Sequence, residues 1–238
     1  MTDSVDPIRL ARAARQLVET DVMMGGSYLP APPEAPPSAE VAEKAAALAA
    51  MDETEVRVCT ACPLSTTRTQ TVFGEGSADA DIVFVGEGPG AEEDKTGRPF
   101  VGRAGELLTK MIEAMGLTRR DIFIGNIVKC RPPGNRAPAG DEVQACIGYL
   151  LRQLQIIQPK VIVTMGNPAT QTLLGTRTGI TRLRGQWQKL PDLGEGLAGI
   201  DVMPTFHPAY ILRQYTPENR RKVWSDLQKV MDAVGLAR

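Results

Sequence analysis

The chain has 238 residues, 42% of them hydrophobic, and its formal net charge is −1 at pH 7. This length suits one full-sized domain with an appendage. No apolar run is long enough to cross a membrane, so we expect a soluble cytoplasmic protein. The charge is unevenly distributed, since residues 1–93 carry −10 and residues 94–238 carry +9. This split predicts a basic face for an anionic partner, with an unevenly charged but unpartnered surface as the alternative.

The first part of the chain differs in composition from the rest. Residues 29–37 read LPAPPEAPP, with five prolines among nine residues, which is typical of a stiff polyproline linker. We therefore predict that residues 1–37 are an appendage. Residues 38–238 then form the main domain, which opens with an alanine-rich helix after Ser38.

The chain contains four cysteines, Cys59, Cys62, Cys130 and Cys146. The first two form a C-x2-C pair, and in a cytoplasmic chain this pattern favours metal binding over disulfides. A zinc ribbon would offer a second C-x2-C pair, which is missing here. Thiolates from scattered segments suit an iron–sulfur cubane at least as well. Spacing alone leaves three possibilities open: a cluster, a zinc site and unrelated free cysteines.

Residues 81–103 form the most informative stretch, DIVFVGEGPGAEEDKTGRPFVGR. The apolar run 82–85 predicts a buried strand, and a glycine-rich loop follows it at 86–90. The loop lacks the Gly-Lys-Ser/Thr ending of a phosphate-binding P-loop. Its G-x-G-x-G spacing, Pro89 and neighbouring acids also argue against a dinucleotide pyrophosphate. We therefore expect a ligand of another kind, close to the ring of Phe100.

Further strands are predicted at 121–129, 160–166 and 199–206, and they alternate with helices. This alternation predicts an α/β fold with a parallel sheet. Ligand sites in such folds lie at the carboxyl ends of the strands. Three of these ends carry reactive or polar side chains: Glu87, Asn126 and the single histidine, His207.

Taken together, the motifs resemble those of the iron–sulfur uracil-DNA glycosylases, the fourth family of that superfamily. The resemblance covers the chain from Cys59 onward. It rests on CTACPL at 59–64, GEGPGAEED at 86–94, GRPFVG at 97–102, NIVKCRPP at 126–133, Cys146 and HPAY at 207–210. It implies a three-layer α/β/α sandwich around a four-stranded parallel sheet. It also implies removal of uracil from DNA and a structural [4Fe–4S] cluster held by the four cysteines.

The resemblance suggests roles within the pocket. The flipped uracil would stack on Phe100, and Asn126 would read its edge. His207 would hydrogen-bond the departing base, and Glu87 would orient water or stabilise the cationic sugar. Glu93 would help to exclude the methyl group of thymine. The expected uracil-binding set is Gly86, Gly88, Glu93, Phe100, Asn126 and His207.

Other residues are expected to bind uracil-containing DNA, with the protein acting as a monomer. Residues 210–213 would enter the duplex, with Tyr210, Ile211 and Leu212 as an apolar wedge and Arg213 on a phosphate. Further phosphate contacts are expected from Arg131, Arg136, Arg182 and Arg184.

One position departs from the family pattern, because Gly88 stands where the motif usually has alanine. We expect this exchange to widen the loop, which leaves open a broader range of deaminated bases such as hypoxanthine. Two further functions stay open, that of a non-catalytic sensor of DNA damage and that of an electron-transfer protein. The chain lacks the Lys-Arg-Arg-Ile-His insertion of relatives that bond covalently to DNA, so hydrolysis is the expected reaction.

Overall fold

The computed structural model describes residues 37–236. The chain divides into two compact units, Met1–Ser38 and Ala39–Arg238, and the second holds every element described below. The appendage predicted for residues 1–37 falls, apart from Pro37, outside the described residues. None of the helices between residues 37 and 236 has the length and apolar character needed to span a bilayer.

A six-stranded sheet forms the centre of the second unit. Its strands are β1 (Glu75–Gly76), β2 (Ile82–Gly86), β3 (Phe123–Asn126), β4 (Val161–Met165), β5 (Gln188–Lys189) and β6 (Asp201–Thr205). They lie side by side in the order β1-β3-β2-β4-β6-β5. The four central strands are parallel, which confirms the predicted α/β class.

The two outer strands extend the predicted four-stranded sheet. β1 pairs antiparallel with β3, and β5 pairs antiparallel with β6. Each has only two residues, Glu-Gly and Gln-Lys, so neither leaves an apolar pattern from which a strand could be predicted.

Eight α-helices surround the sheet within residues 37–236. They are α1 (Ala39–Met51), α2 (Ala91–Thr96), α3 (Arg103–Ala114), α4 (Gly140–Ile157), α5 (Asn167–Leu174), α6 (Ile180–Leu183), α7 (Pro208–Arg213) and α8 (Pro217–Val234). A π-helical turn, Asp52–Val56, and two 3-10 turns, Pro63–Thr66 and Pro133–Asn135, complete the helical elements.

The apolar core lies on both faces of the sheet. Every residue of β2 is buried, as expected for a central parallel strand. Val83 and Val85 belong to one core cluster, which includes buried leucines of α4 and α5. Ile82 and Phe84 belong to the other, which includes buried residues of α3 and α8. Alternate side chains of one strand thus pack against opposite helical layers, which gives the three-layer sandwich.

Candidate active site and cysteine cluster

A pocket of about 420 Å³ opens at the carboxyl ends of the parallel strands. Glu87 follows β2, Asn126 ends β3, and His207 follows β6, and all three line the pocket. β2 and β3 pair in a register that sets Gly86 beside Asn126. The structure therefore brings together the three strand ends that the sequence singled out.

The glycine loop after β2 is closely fitted to its neighbours. A Cβ on Gly86 would lie 2.5 Å from Oδ1 of Asn126 and 2.5 Å from Cζ of Phe100, so only glycine fits there. A Cβ on Gly88 would lie 2.7 Å from Cγ2 of Val128. The expectation of a wider loop at Gly88 is therefore wrong, because Val128 occupies the space that a larger residue would take.

Asn126 offers the pocket an unused acceptor. Its side chain is 1% exposed, and its Oδ1 has no hydrogen-bond partner within the described chain. A buried polar atom without a partner costs free energy, so such an atom in a pocket is typical of a ligand contact. Asn126 is therefore suited to accept a hydrogen bond from a bound molecule.

The Phe100 ring forms one wall of the pocket in a strained backbone conformation. Its φ angle is 53°, in the left-handed region that non-glycine residues seldom adopt. The guanidinium of Arg119 donates to the carbonyls of Phe100 and Pro99, at 3.0 and 2.6 Å, which holds this turn in place. The ring centroid lies 5.6 Å from that of His207, so the two rings share one side of the pocket.

His207 is held in one orientation at the start of α7. The backbone N–H of Ala209 donates to its Nδ1 at 3.1 Å, so this nitrogen carries no proton. Burial and, to a smaller extent, the nearby positive charge of Arg213 lower the pKa of His207 to about 4, whereas Glu93 acts in the opposite direction. The ring is therefore neutral near pH 7, and its proton is on Nε2, available to a ligand.

The two glutamates of the pocket are placed differently. Burial raises the pKa of Glu87, whose carboxylate makes no side-chain hydrogen bond to another described residue. Glu93 accepts from the backbone N–H groups of Gly90, Val101 and Gly102, at distances from 2.9 to 3.1 Å. Both oxygens of Glu93 thus hold the loops together. Glu93 also lines the pocket, and its role in excluding thymine stays a prediction.

The basic side chains expected on DNA fall into two groups. Arg136 and Arg213 line the pocket, and Arg131 donates to Asn135 on the same rim at 2.7 Å. Arg136 also pairs with Glu142 at 2.6 Å, although nearly half of its side chain stays exposed. Arg182 is exposed on α6, outside the pocket lining.

Arg184 was expected to contact a phosphate, and its position in the structure corrects this expectation. Its guanidinium pairs with the buried carboxylate of Asp226 and donates to the carbonyl of Lys222 at 2.7 Å. It also lies 5.5 Å from the ring centroid of Phe206. The Arg184 side chain is 18% exposed, so it serves the interior of the protein and not a phosphate.

The apolar wedge predicted at 210–213 is also smaller than expected. These residues belong to α7, where Ile211 is 3% exposed and lies in the core. The ring of Tyr210 packs 4.8 Å from that of Phe206. Helical geometry thus turns Ile211 inward. Tyr210 and Leu212 are partly exposed and Arg213 is exposed, so these three remain available to DNA.

The four cysteines line a common small cavity on the α4 side of the sheet, next to β3. Arg68 Nη1 donates to Sγ of Cys130 at 3.1 Å, and the backbone N–H of Lys129 donates to Sγ of Cys146 at 3.2 Å. Burial raises the pKa of the Cys146 thiol to about 11 and also raises the pKa of the Cys130 thiol. Binding of a metal group would favour the thiolate form of these cysteines, so their burial is compatible with zinc and with an iron–sulfur cluster alike.

The arrangement of the cysteines also bears on the zinc alternative. Within residues 37–236, no three His, Cys, Asp or Glu side chains are grouped in a way that could hold a single metal ion. The four thiols nevertheless line one small cavity. A cavity lined by four thiols offers the soft donors that an iron–sulfur cluster needs, and it does not exclude zinc.

Comparisons with known proteins identify the family of this chain. A family model described as the uracil DNA glycosylase superfamily matches residues 73–228, more than half of the chain. The chain belongs to the uracil DNA glycosylase superfamily.

Individual relatives within the superfamily carry more specific names. A Type-4 uracil-DNA glycosylase of Thermotoga maritima is 51% identical over 178 residues, 73% of this chain and 88% of the relative. A Type-4 uracil-DNA glycosylase of Archaeoglobus fulgidus is 42% identical over 185 residues, 76% of this chain and 90% of the relative. A Type-5 uracil-DNA glycosylase of Pyrobaculum aerophilum is more distant, with 29% identity over 151 residues.

Several residues that complete the glycosylase site were not predicted. Arg119 holds the turn at Phe100, and Val128 fills the space beside Gly88. No sequence motif indicates either of these contacts. Arg68 and Lys129 lie beside the cysteines, and only the short distance from Lys129 to Cys130 in the sequence could have indicated one of them.

Proposed function

We propose that this chain removes uracil from DNA by hydrolysing the bond between the base and its deoxyribose. The observation that carries the proposal is the unpaired Oδ1 of Asn126, buried in the pocket beside Phe100 and His207. Family membership and the Type-4 relatives support it. We assign the activity to residues 38–238, with residues 1–37 as an appendage, in a protein that works as a monomer in the cytoplasm.

Recognition follows from the hydrogen-bonding groups of Asn126. Uracil carries a proton on N3 and an oxygen on C4, so the side-chain carbonyl accepts from N3–H and the amide donates to O4. Cytosine has no proton on N3 and carries an amine on C4, so it would meet the wrong group at both positions. A base inside the duplex cannot reach this pocket, and the nucleotide therefore has to flip out and stack on Phe100.

The reaction breaks one bond with the help of two side chains. The electron pair of the C1′–N1 bond moves to the departing uracil, and the oxygen of a water molecule bonds to C1′. His207 is neutral and donates its Nε2 proton in a hydrogen bond to the uracil oxygen on which charge gathers. One such donor is typically worth about 3–4 kcal/mol. Glu87 orients the water and accepts its proton, and desolvation makes its carboxylate a better base.

Contact with DNA is assigned to the exposed part of the pocket rim. Arg131, Arg136 and Arg213 would contact phosphates, and Leu212 would fill the gap left by the flipped nucleotide. Arg182 remains a phosphate candidate at the periphery. Arg184 and Ile211 are not assigned to DNA, since their side chains pack within the protein, whereas Tyr210 remains a candidate beside Leu212.

We also propose that Cys59, Cys62, Cys130 and Cys146 hold a [4Fe–4S] cluster with a structural role. When bound, the cluster would fasten the segment after α1, the end of β3 and α4 to one another. Cys130 lies four residues after Asn126, so the fastening would also hold the recognition residue in place. Hydrolysis of the glycosidic bond needs no electron transfer.

The experiment that tests the function measures base release from duplex oligonucleotides, followed by cleavage of the abasic sites in alkali. Matched duplexes carry uracil, hypoxanthine or thymine opposite guanine. We expect release of uracil alone, because Val128 fills the space beside Gly88 that a broader pocket would need. Release of hypoxanthine at a similar rate would contradict this expectation.

Asn126→Ala is the decisive variant. It should lower the excision rate roughly 100-fold, since two hydrogen bonds of about 1–1.5 kcal/mol each are lost. Asn219→Ala is the matched control, because Asn219 is an asparagine of α8 that lies outside the pocket lining. Equal rates for the two variants would show that Asn126 does not read the base.

A further inference from the structure

A second concave surface lies apart from the uracil pocket. A groove of about 490 Å³ runs between α3, α7 and α8, and it shares no lining residue with that pocket. Ile211 of α7 contributes to its wall. The groove therefore adjoins the helix that carries Leu212 and Arg213, on a different face.

The floor of the groove is apolar. Leu107 and Met111 of α3 and Trp224 of α8 are only partly buried against the core beneath them. Leu227 lies fully buried at the base. Apolar side chains grouped in this way typically mark a binding surface, because covering them removes apolar area from water.

The rim of the groove is positively charged. Lys110, Arg220 and Arg221 are exposed, and none of them forms a salt bridge with a carboxylate of residues 37–236. Glu218 lies near this rim in the sequence, and it pairs with Lys222 at 2.6 Å. None of the residues that line the groove is acidic. Within the described part of the chain, the rim therefore carries a surplus of positive charge.

A large aromatic side chain stands at the same rim. Tyr215 is 59% exposed, and the guanidinium of Arg220 lies 5.2 Å from its ring centroid. Exposed aromatic and arginine side chains are enriched where proteins bind other proteins, since they contribute much contact area.

We propose that this groove binds an acidic peptide segment with bulky apolar side chains, presented by a partner protein. The apolar side chains would lie on Met111 and Trp224, and the carboxylates would face Lys110, Arg220 and Arg221. A DNA strand would satisfy these cations but would leave the apolar floor without an apolar partner. An acidic amphipathic peptide matches both parts of the groove.

The test uses one of the two tryptophans of the chain as the reporter. Trp187 lies outside the groove, so Trp187→Phe leaves Trp224 as the only tryptophan. The probe is a synthetic peptide of about 12 residues, roughly 18 Å as a helix, with Leu and Phe on one face and Asp and Glu on the other. We expect a saturable blue shift of Trp224 emission as the peptide covers the ring.

Two controls decide what causes the shift. A peptide with Lys in place of each Asp and Glu should give no shift. The variant K110E/R220E/R221E should bind the acidic peptide at least about tenfold more weakly. A loss of only 1.4 kcal/mol in binding free energy already lowers the affinity tenfold. The matched variant R120E/R177E/R182E reverses three exposed arginines outside the groove and should bind as before.

The outcomes separate the peptide surface from a DNA surface. No saturable shift with the acidic peptide would overturn the proposal, as would an equal shift with the basic peptide. If the K110E/R220E/R221E variant lost affinity for uracil-free DNA while no peptide shifted Trp224 emission, the groove would be a DNA surface and the proposal would be wrong. None of these measurements depends on excision activity.

Discussion

At the scale of single residues, the ring of His207 combines a fixed tautomer with a low affinity for protons. Its usual pKa of 6.5 falls to about 4, mainly because burial disfavours the charged form. The unfolded chain therefore binds more protons than the folded chain between pH 6.5 and pH 4. As a result, the free energy of unfolding should decrease as the pH falls through this window, and this contribution should disappear in His207→Asn.

The chain contains no other histidine, so a proton NMR titration observes this ring alone. We expect the imidazole C2–H resonance to move with a midpoint near pH 4 and to stay unchanged between pH 6 and 8. A midpoint near 6.5 would mean that the ring is solvated and charged at mildly acidic pH. The burial that we assign to the His207 side chain would then be wrong.

At the scale of elements, α7 gives two neighbouring apolar residues different roles. Ile211 is buried in the core, whereas Leu212 is partly exposed beside Arg213. Ile211→Ala should lower the free energy of unfolding by about 2–4 kcal/mol, because it leaves a cavity. Leu212→Ala should unfold like the wild type and excise uracil more slowly from duplex DNA than from single strands, since only the duplex leaves a gap to fill.

Denaturant unfolding and excision on both substrates check the α7 prediction. Excision by Ile211→Ala should be measured under conditions in which this variant is fully folded. If it then lost duplex excision to the same extent as Leu212→Ala, the wedge would include the buried side chain of Ile211. The helix would then have to turn when DNA binds.

The segment that carries Cys59 and Cys62 can be tested through Arg68. This guanidinium donates to Sγ of Cys130, so Arg68→Ala should weaken retention of the proposed cluster without removing a cysteine. We expect the visible absorbance of the purified protein to decay several-fold faster in air. Arg57→Ala is the control, because Arg57 is an exposed arginine of the same segment that pairs with Asp52. If the visible absorbance decayed at the same rate in the two variants, Arg68 would not contribute to retention of the cluster.

At the scale of the whole molecule, the positive charge of residues 94–238 predicts binding to DNA that weakens as salt is added. Arg213→Ala should reduce the slope of log affinity against log salt by about 1, because one phosphate contact is lost. Arg184→Ala should leave this slope unchanged and lower the free energy of unfolding by about 3–5 kcal/mol, since it strands the buried Asp226. A changed slope for Arg184→Ala would restore it as a phosphate contact.

The limits of prediction from the sequence follow from what a linear pattern records. Apolar runs and the polar residues that follow them located the four parallel strands and gathered Glu87, Asn126 and His207 at one edge. The two-residue edge strands left no such pattern. The left-handed turn at Phe100 and the filled space beside Gly88 depend on contacts with distant residues, Arg119 and Val128.

The same limit explains the two corrections among the DNA contacts. Arg184 has the charge expected of a phosphate contact, but Asp226 lies 42 residues away in the sequence and only the fold pairs the two. Ile211 has the apolar side chain of a wedge residue, but the phase of α7 turns it inward. Composition thus indicated the chemistry of these residues, whereas packing decided which of them reach the solvent.

The unpaired Oδ1 of Asn126 has one more consequence, which concerns turnover. No described residue donates to this acceptor, so the free base is as good a partner for it as the base in DNA. Uracil released by the reaction should therefore compete with the next damaged strand. The same contact that makes the pocket selective for uracil also makes the product an inhibitor. Excision should therefore slow as free uracil accumulates.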